Sequence, residues 1–406
     1  MSWVEATLGG LYKVASSKRV LKSDWKSEGI PFYRGREITS LSKYGYVEND
    51  LYITEEMYKE FNKNYGVPLA DDIMVTAIGT IGNTYIVKSQ DKFYFKDASV
   101  LWLKKEKDID SKFVNYWFKS SHFTNQLDVG LGATVDTLTI GKVQSLKINI
   151  PSLATQKKIV AKLDVICAEI DKATAAAGAN AKNAEVIFYS ILNKWLDENK
   201  TGWNSLLLKD ACEFINRGIS PSYLENDNEG ILILNQKCVR NHKINFELGR
   251  RHDVLKKQVK EERLIRYGDV LVNSTGTGTL GRVAQVVDEI LEPTTVDSHV
   301  TIVRPNLNKF SANFFGFMMI QIEDDIKKAG EGSVGQTELS RTTLSDKLKV
   351  VFPNDKKLQD SLFIKLTTAK ENSIKVKNLM ELKINELNFL KQSILKQAFN
   401  GELVKE

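Results

Sequence analysis

The sequence predicts an α+β chain built as an internal repeat, in which two similar globular units are each followed by a long helix. The two helices are expected to form an antiparallel coiled coil, so that the halves are related by a pseudo-two-fold axis. Two observations carry this reading. Landmark residues recur in the same order at an offset that drifts only from 197 to 202 positions, and after each copy's closing proline the apolar period changes from two to seven. The expected boundaries are 1–152 for the first globular unit, 153–200 for its helix, 201–353 for the second unit and 354–406 for the second helix.

Within the globular units the landmarks run in parallel. Trp3 and Leu8 match Trp203 and Leu208, and the strand-like run Ala70 to Val75 matches Tyr267 to Val272. Gly79-Thr80-Ile81-Gly82 matches Gly278-Thr279-Leu280-Gly281, each leading into an alternating run, Thr84 to Val87 and Val283 to Val287, that reads as a strand. Val114, Trp117 and Phe118 stand at helical spacing, as do Phe314, Phe317 and Met318. Gly132 and Gly332 open polar loops. Pro151 and Pro353 close the strands Leu146 to Ile150 and Leu348 to Phe352.

Beyond each proline lies a heptad pattern. In the first helix Ile159, Leu163, Ile166, Ile170, Ala173, Ala177, Asn180, Ala184, Ile187 and Ile191 step by alternating fours and threes, the signature of a coiled-coil seam. In the second, Leu362, Leu366, Ala369, Ser373, Val376, Met380, Lys383, Leu387, Leu390 and Ile394 do the same. One narrow stripe on each helix cannot be buried alone, so the two are expected to pair. The small residues 173 and 175–179 allow a close approach, and Asn180, Ser373 and Lys383 are polar seam positions that set register. The alternative, two helices buried as the core of one ordinary domain, calls for a wider apolar face than two positions in seven.

Composition bounds the function. A chain with 42% apolar and 27% charged residues is an ordinary globular composition, with neither a spanning apolar run nor a charged-then-apolar leader after Met1, so a cytoplasmic protein without membrane contact is expected. Cys167, Cys212 and Cys238 form no CxxC pair, and with four histidines no four-ligand zinc spacing can be written; Cys238 with His242 offers two ligands at most. The net charge of +6 favours an anionic partner.

Several enzyme signatures fail on inspection. Gly276 to Gly281 satisfies G-x-G-x-x-G, but Arg282-Val283-Ala284-Gln285-Val286-Val287 reads as a strand where a dinucleotide site requires a helix. A glycine-rich turn between strands fits better. None of the seven prolines are adjacent, which excludes the Asn/Asp-Pro-Pro-aromatic motif of DNA amino-methyltransferases, and the single Gly-Lys pair, Gly141-Lys142, precedes Val143 rather than Ser or Thr. Asp297-Ser298-His299 places triad letters side by side, but neighbours on a strand point to opposite faces. The chain is expected to bind rather than catalyse.

Taken together, Asp-Val-Leu-Val with Gly-Thr-Leu-Gly, the Gly-Ser-x-x-Gln loop from Gly332 to Gln336, a proline, a heptad helix and the ending Ala398-Phe399-Asn400-Gly401-Glu402-Leu403 resemble the specificity subunit of type I restriction–modification systems. The resemblance spans essentially the whole chain. It implies that each globular unit is a target recognition domain reading half of a split site on double-stranded DNA. It also implies that the helices are a spacer and a platform for two methyltransferase subunits, with restriction and motor subunits joining for cleavage. This chain would then hold no cofactor, and the methyltransferase subunits would bring S-adenosylmethionine. The first copy departs from the pattern: Gly132 to Asp136 replaces the Gly-Ser-x-x-Gln loop, and Ile191 to Trp195 lacks the Phe-x-Gly-Glu-Leu tail.

Base readout requires donors and acceptors on loops, with Lys and Arg on phosphate. The candidates in the first unit are Arg34, Arg36, Thr76, Thr80 and Thr134, with Gly35 expected to let the backbone approach the duplex. In the second they are Asn235, Gln236, Lys237, Asn273, Ser274, Thr275, Thr277, Ser333 and Gln336. Arg prefers guanine whereas Asn and Gln prefer adenine, so unlike half-sites and an asymmetric target are expected. The rival expectation is a coiled-coil scaffold that joins protein partners without DNA.

Overall fold

The structure, a computed structural model, describes residues 3–127, 137–196, 201–225, 230–330 and 338–404. It divides into two compact units, Met1–Gly178 with Glu381–Glu406, and Ala179–Met380. Each unit therefore takes in a segment of both long helices, Leu153–Trp195 and Lys356–Phe399.

In the first unit a four-stranded antiparallel sheet has the order Tyr12–Ala15, Val100–Lys105, Ile73–Thr76, Thr84–Ile86. All four residues of Ile73–Thr76 are buried, which is why that stretch reads as a continuous apolar run rather than an alternating one. A second sheet places Ile30–Tyr33 between Tyr52–Ile53, antiparallel, and Tyr94–Phe95, parallel. Val4–Thr7 pairs with Lys147–Ile150.

The second unit repeats this plan strand for strand. Its sheets are ordered Cys212–Arg217, Val300–Pro305, Val270–Asn273, Val283–Gln285, then Arg250–His252, Ile231–Leu234, Thr294–Val296, then Trp203–Leu207 with Lys349–Pro353. The expected helices are present at Ser111–Phe118 and Ala312–Gln321. The Gly-Thr-x-Gly runs are the turns between paired strands, so the residues after Gly281 enter a strand and no helix N-terminus faces the glycines. Gly82 and Gly281 have φ +82° and +80°, and a Cβ on them would collide with the Phe123 ring and with Lys327 respectively, so both space and backbone demand glycine.

The units diverge just past the middle strand of the three-stranded sheet. In the first, Tyr33 leads into the helix Gly35–Tyr44, closed by Gly45 in the left-handed region; in the second, Leu234 leads into a short 3-10 turn, Gln236–Cys238, and a hairpin of Val239–Arg240 with Lys243–Ile244.

Each core includes turns of both long helices. In the first unit Ile159, Val160 and Leu163 share a cluster with Phe113, Val114, Leu395, Ala398 and Phe399; in the second Phe188, Leu192 and Leu196 share one with Phe314, Met318, Leu362 and Leu366. Early turns of one helix thus meet late turns of the other within each unit, the antiparallel pairing that the stripes required. Ser373 Oγ donates to Ala184 O across the pair at 2.8 Å, and the small Ala184 is what admits that approach.

The seam departs from a strict heptad. Ile159, Leu163, Ile170, Leu362, Leu366 and Leu387 are buried and Ile166, Ile191 and Ile394 are half-buried, but Ile187, Val376 and Leu390 are exposed by 58%, 41% and 47%. Toward the end of the first helix the buried positions are Ala184, Phe188 and Leu192, with Leu196 just past its last turn, a step of four that carries the stripe one residue past Ile187. Asn180 and Lys383 are exposed and set no register; Lys391, beside Leu390, reaches Asp171 at 2.6 Å.

One buried feature of the repeat has no apolar signature. Gln156 Nε2 donates to Pro151 O at 2.9 Å while its Oε1 accepts from Asp110 N at 2.9 Å. Gln359 Nε2 donates to Pro353 O at 2.8 Å while its Oε1 accepts from Ser311 N at 2.8 Å. Each glutamine ties the first turn of a long helix to the proline that ends a strand and to the cap of a core helix. Gln359→Leu should leave these backbone groups buried without partners and lower the unfolding free energy by about 1–3 kcal/mol, read by urea denaturation, while an exposed control such as Lys357→Leu should change it little.

Candidate nucleic-acid interface

The candidate residues of the first unit lie at the strand ends around the Gly79–Gly82 turn. Arg34 occupies the N-cap position of the helix Gly35–Tyr44 and Arg36 lies in its first turn, because Glu37, buried at the third position, draws both guanidinium groups and the Arg34 N–H. Arg34 Nη2 lies 2.9 Å from Glu37 Oε1 and 2.8 Å from Asp50 Oδ1, and Arg36 pairs with the same two carboxylates. Gly35 therefore opens a helix rather than a loop. Its φ lies outside the left-handed region and a Cβ there would make only ordinary contacts within the chain, at 3.6 Å, so neither the backbone nor the packing around it requires a glycine.

Thr76 is buried, accepting from Asn83 N at 3.0 Å and donating to Thr80 O, so it braces the turn and offers no surface to a partner. Thr80 is exposed at its tip. Asn83, which donates to Thr39 Oγ1 at 3.1 Å, joins the turn to the helix after Arg34.

In the second unit the same strand ends carry a different polar set. Asn235 caps the short 3-10 turn, accepting from Lys237 N at 2.9 Å, and Lys237 is exposed. Gln236 Nε2 donates to Thr275 O at 2.8 Å, and Asn273 Nδ2 donates to Gln236 O at 3.1 Å. Asn273 and Ser274 are fully buried, Ser274 Oγ bonding Thr301 Oγ1, so these two are framework like Thr76, while Thr277 is exposed and Thr275 half-exposed. The burial of Thr76, Asn273 and Ser274 has one cause: each lies at the end of an inner strand of its four-stranded sheet, where a polar residue serves the turn. Thr134, Ser333 and Gln336 lie outside the described residues.

Two cations and a histidine of this region carry no base-reading motif in the sequence. Arg217 Nη1 pairs with Glu338 at 2.6 Å and its Nη2 donates to Leu339 O at 2.7 Å, and Arg341 Nη1 reaches Asn216 Oδ1 at 3.2 Å, fixing the end of the segment that leads to the helix Arg341–Lys347. His299 bonds Thr275. Only its neighbours in sequence, Asp297 and Ser298, suggest a triad, and Asp297 in fact accepts the His299 backbone N–H at 2.9 Å. Among the described residues no three His, Cys, Asp or Glu side chains gather as metal ligands, and His242 is held by Glu323 Oε2 at 2.7 Å. No helix among them is long and apolar enough to cross a membrane.

The Arg34–Arg36–Glu37 cluster predicts a pH dependence. Burial alone would raise the Glu37 carboxyl, but hydrogen bonds from Arg34 and Arg36 outweigh it and hold it below the ordinary value of 4.5. A carboxylate held low contributes stability that is present above its unfolded pKa and lost as pH falls through the folded one. The double variant Arg34→Met, Arg36→Met should therefore be less stable at neutral pH by about 1–3 kcal/mol, and denaturation across acid pH should show a shallower loss than the wild-type chain.

Comparison with known proteins agrees with this architecture. Residues 1–177 match the family model described as type I restriction modification DNA specificity domain. The chain is similar to a putative type I restriction enzyme specificity subunit from Haemophilus influenzae, 31% identical over 159 residues. That match covers 39% of this chain and 38% of the relative, less than two thirds of its length. It is also similar to the type I restriction enzyme StySPI specificity subunit of Salmonella potsdam, 23% identical over 75% of this chain and 68% of that protein. Among solved structures, a chain from work on complex assembly and conformational transition of the type I R-M system shares the fold, with a TM-score of 0.78 and 16% identity over 99% of this chain and 98% of that one. The HsdS subunit from Thermoanaerobacter tengcongensis does so with a TM-score of 0.56 and 16% identity over 99% of this chain and 97% of that one. Residues 1–177 thus match the type I restriction modification DNA specificity domain, and the chain as a whole is similar in fold to type I specificity subunits.

Proposed function

We propose that this chain selects the DNA sequence for a type I restriction–modification complex, reading a bipartite and asymmetric duplex target with its two globular units and holding methyltransferase subunits on its helices. The observation that carries the reading is the contrast between what repeats and what does not. Strand order, register and glycine turns are the same in both units, whereas the polar groups at equivalent strand ends are Arg34 and Arg36 in one and Asn235, Gln236 and Thr275 in the other. A framework duplicated with unlike donors suits two unlike half-sites, since guanidinium groups favour guanine O6 and N7 while amides favour adenine N6 and N7. Exposed cations such as Arg36 and Lys237 would supply phosphate contacts and with them the salt-dependent part of affinity.

Partner docking has its own support. In the second unit the helix pair leaves open an apolar groove of about 770 Å3 lined by Ile187, Ile191, Trp195, Ile364, Val376 and Met380. In the first unit Phe389 is 80% exposed on the second helix, beside Leu382 and Leu390. Such surfaces on helices that already bury a seam suit apolar segments of methyltransferase subunits, which would bring S-adenosylmethionine and the reaction, with restriction subunits joining for cleavage. In this scheme the chain chooses the site and performs no chemistry.

Co-expression with a type I methyltransferase subunit followed by mapping of methylated motifs should return two different half-sites around an unread spacer. A palindromic motif would remove the asymmetry. Retention of the folded chain on duplex DNA should weaken linearly in log salt, whereas a protein scaffold would show no retention at all. One heptad added to both helices lengthens each by about 10 Å. It should therefore lengthen the spacer by roughly three base pairs, at ~3.4 Å per pair, and leave both half-sites unchanged.

A further inference from the structure

We propose that His299 is a specificity-determining residue of the second unit, presenting Nε2–H as a fixed donor to an acceptor atom on a base edge of its half-site. This rests on the DNA-reading role proposed above and goes beyond it by naming a residue and the chemistry it reads.

Register shows what stands where. Asn273 pairs with Val300 as Thr76 pairs with Val100, and Ser274 N donates to His299 O at 2.8 Å as Ala77 N donates to Ser99 O at 2.9 Å. Positions 275 and 299 of the second unit therefore occupy the places of 78 and 99 in the first. Gln236 likewise takes the place of Gly35, since Asp297 N donates to Leu234 O at 2.9 Å as Lys96 N donates to Tyr33 O at 2.8 Å. The first unit holds Gly35, Ile78 and Ser99 at these points and builds no side-chain network from them. The second holds Gln236, Thr275 and His299, and links all three.

The linkage has a direction. Gln236 Nε2 donates to Thr275 O and to Thr275 Oγ1, and Thr275 Oγ1 lies 2.8 Å from His299 Nδ1. The threonine hydroxyl has one proton, and with the amide donating to its oxygen that proton is free to go to His299 Nδ1. In the tautomer that uses this proton, Nδ1 is the acceptor and the ring proton sits on Nε2. The ring is exposed, and among the described residues no group bonds Nε2. The backbone beneath it is pinned from both sides, the His299 N–H by Asp297 Oδ1 at 2.9 Å and the His299 carbonyl by Ser274 N. A donor held through Thr275 and Gln236 at a strand end is pre-organised to meet guanine O6 or N7, adenine N7 or thymine O4, and to reject the cytosine amino group.

The test is selection by the full-length chain, and by its His299→Ala and Thr275→Val variants, from duplexes randomised in two windows. His299→Ala should lose discrimination at one position of one half-site by about 5- to 10-fold, with the other half-site and the thermal unfolding midpoint unchanged. Thr275→Val should weaken the same position by less, because the ring keeps its donor but loses its hold. An unchanged motif with His299→Ala would overturn the proposal. So would an equal loss on every sequence with a shallower salt dependence, which is the behaviour of a phosphate contact. Absence of any selection by the wild-type chain would instead remove the DNA-reading role, and this inference with it.

Discussion

Everything else in this chain depends on the two long helices being part of the globular cores rather than attachments to them. Phe399 packs 5.0 Å from Phe113, Leu395 and Ala398 are fully buried in the same cluster, and in the second unit Leu192 and Leu196 are buried with Phe314 and Met318. A helix with one narrow apolar stripe is marginal in water by itself. Burying its terminal turns in a domain core gives it a fixed origin and a fixed rotation about its axis, and the paired glutamines Gln156 and Gln359 add directional bonds to that nonspecific burial.

This explains the ending Ala398-Phe399-Asn400-Gly401-Glu402-Leu403. Ala398 and Phe399 are the last buried turn, Gly401 at φ +80° ends the helix beside the Trp3 indole, and Glu402 N donates back to Gln397 O at 2.9 Å, closing the orphan carbonyls. The first helix lacks those letters but not their function. Leu192 and Leu196 fill the equivalent core, and Gln321 Nε2 donates to Leu196 O at 2.6 Å. The same division holds at the strand entrance. Asp72 accepts from Trp102 Nε1 at 2.7 Å where Asp269 takes a two-pronged pair with Arg304, both bonds 2.8 Å. The aspartate repeats because the turn requires its carboxylate, while its partner is free to differ provided that the buried charge is met.

The polar surface obeys the opposite rule. Arg34 and Arg36 are organised by a buried Glu37, and Gln236, Thr275 and His299 by one another, on strand ends whose backbone bonds are the same in both units. Positions that carry turn geometry are constrained by sterics and by unsatisfied backbone groups; positions that face outward are constrained only by what they meet. A duplicated fold can therefore diverge in what it recognises without losing stability.

Periodicity and landmark spacing in the sequence by themselves determined the duplication, the strand–turn–strand units, the presence of the two long helices and their antiparallel pairing, because each comes from local chain geometry and from the need to bury one stripe against another. Tertiary structure alone decided which residues share a surface. The buried stripe of the first helix passes from Ile187 to Phe188, and Val376 and Leu390 of the second stay exposed, because neighbours from distant segments decide which heptad positions are covered. Thr76, Asn273 and Ser274 have the letters of base-reading residues, yet end buried strands, while His299 reaches the surface through a bond to Thr275, 24 positions away in sequence. Exposure and hydrogen-bond partners are properties of packing between distant segments, and they alone separate a polar residue that braces a turn from one that can meet a base.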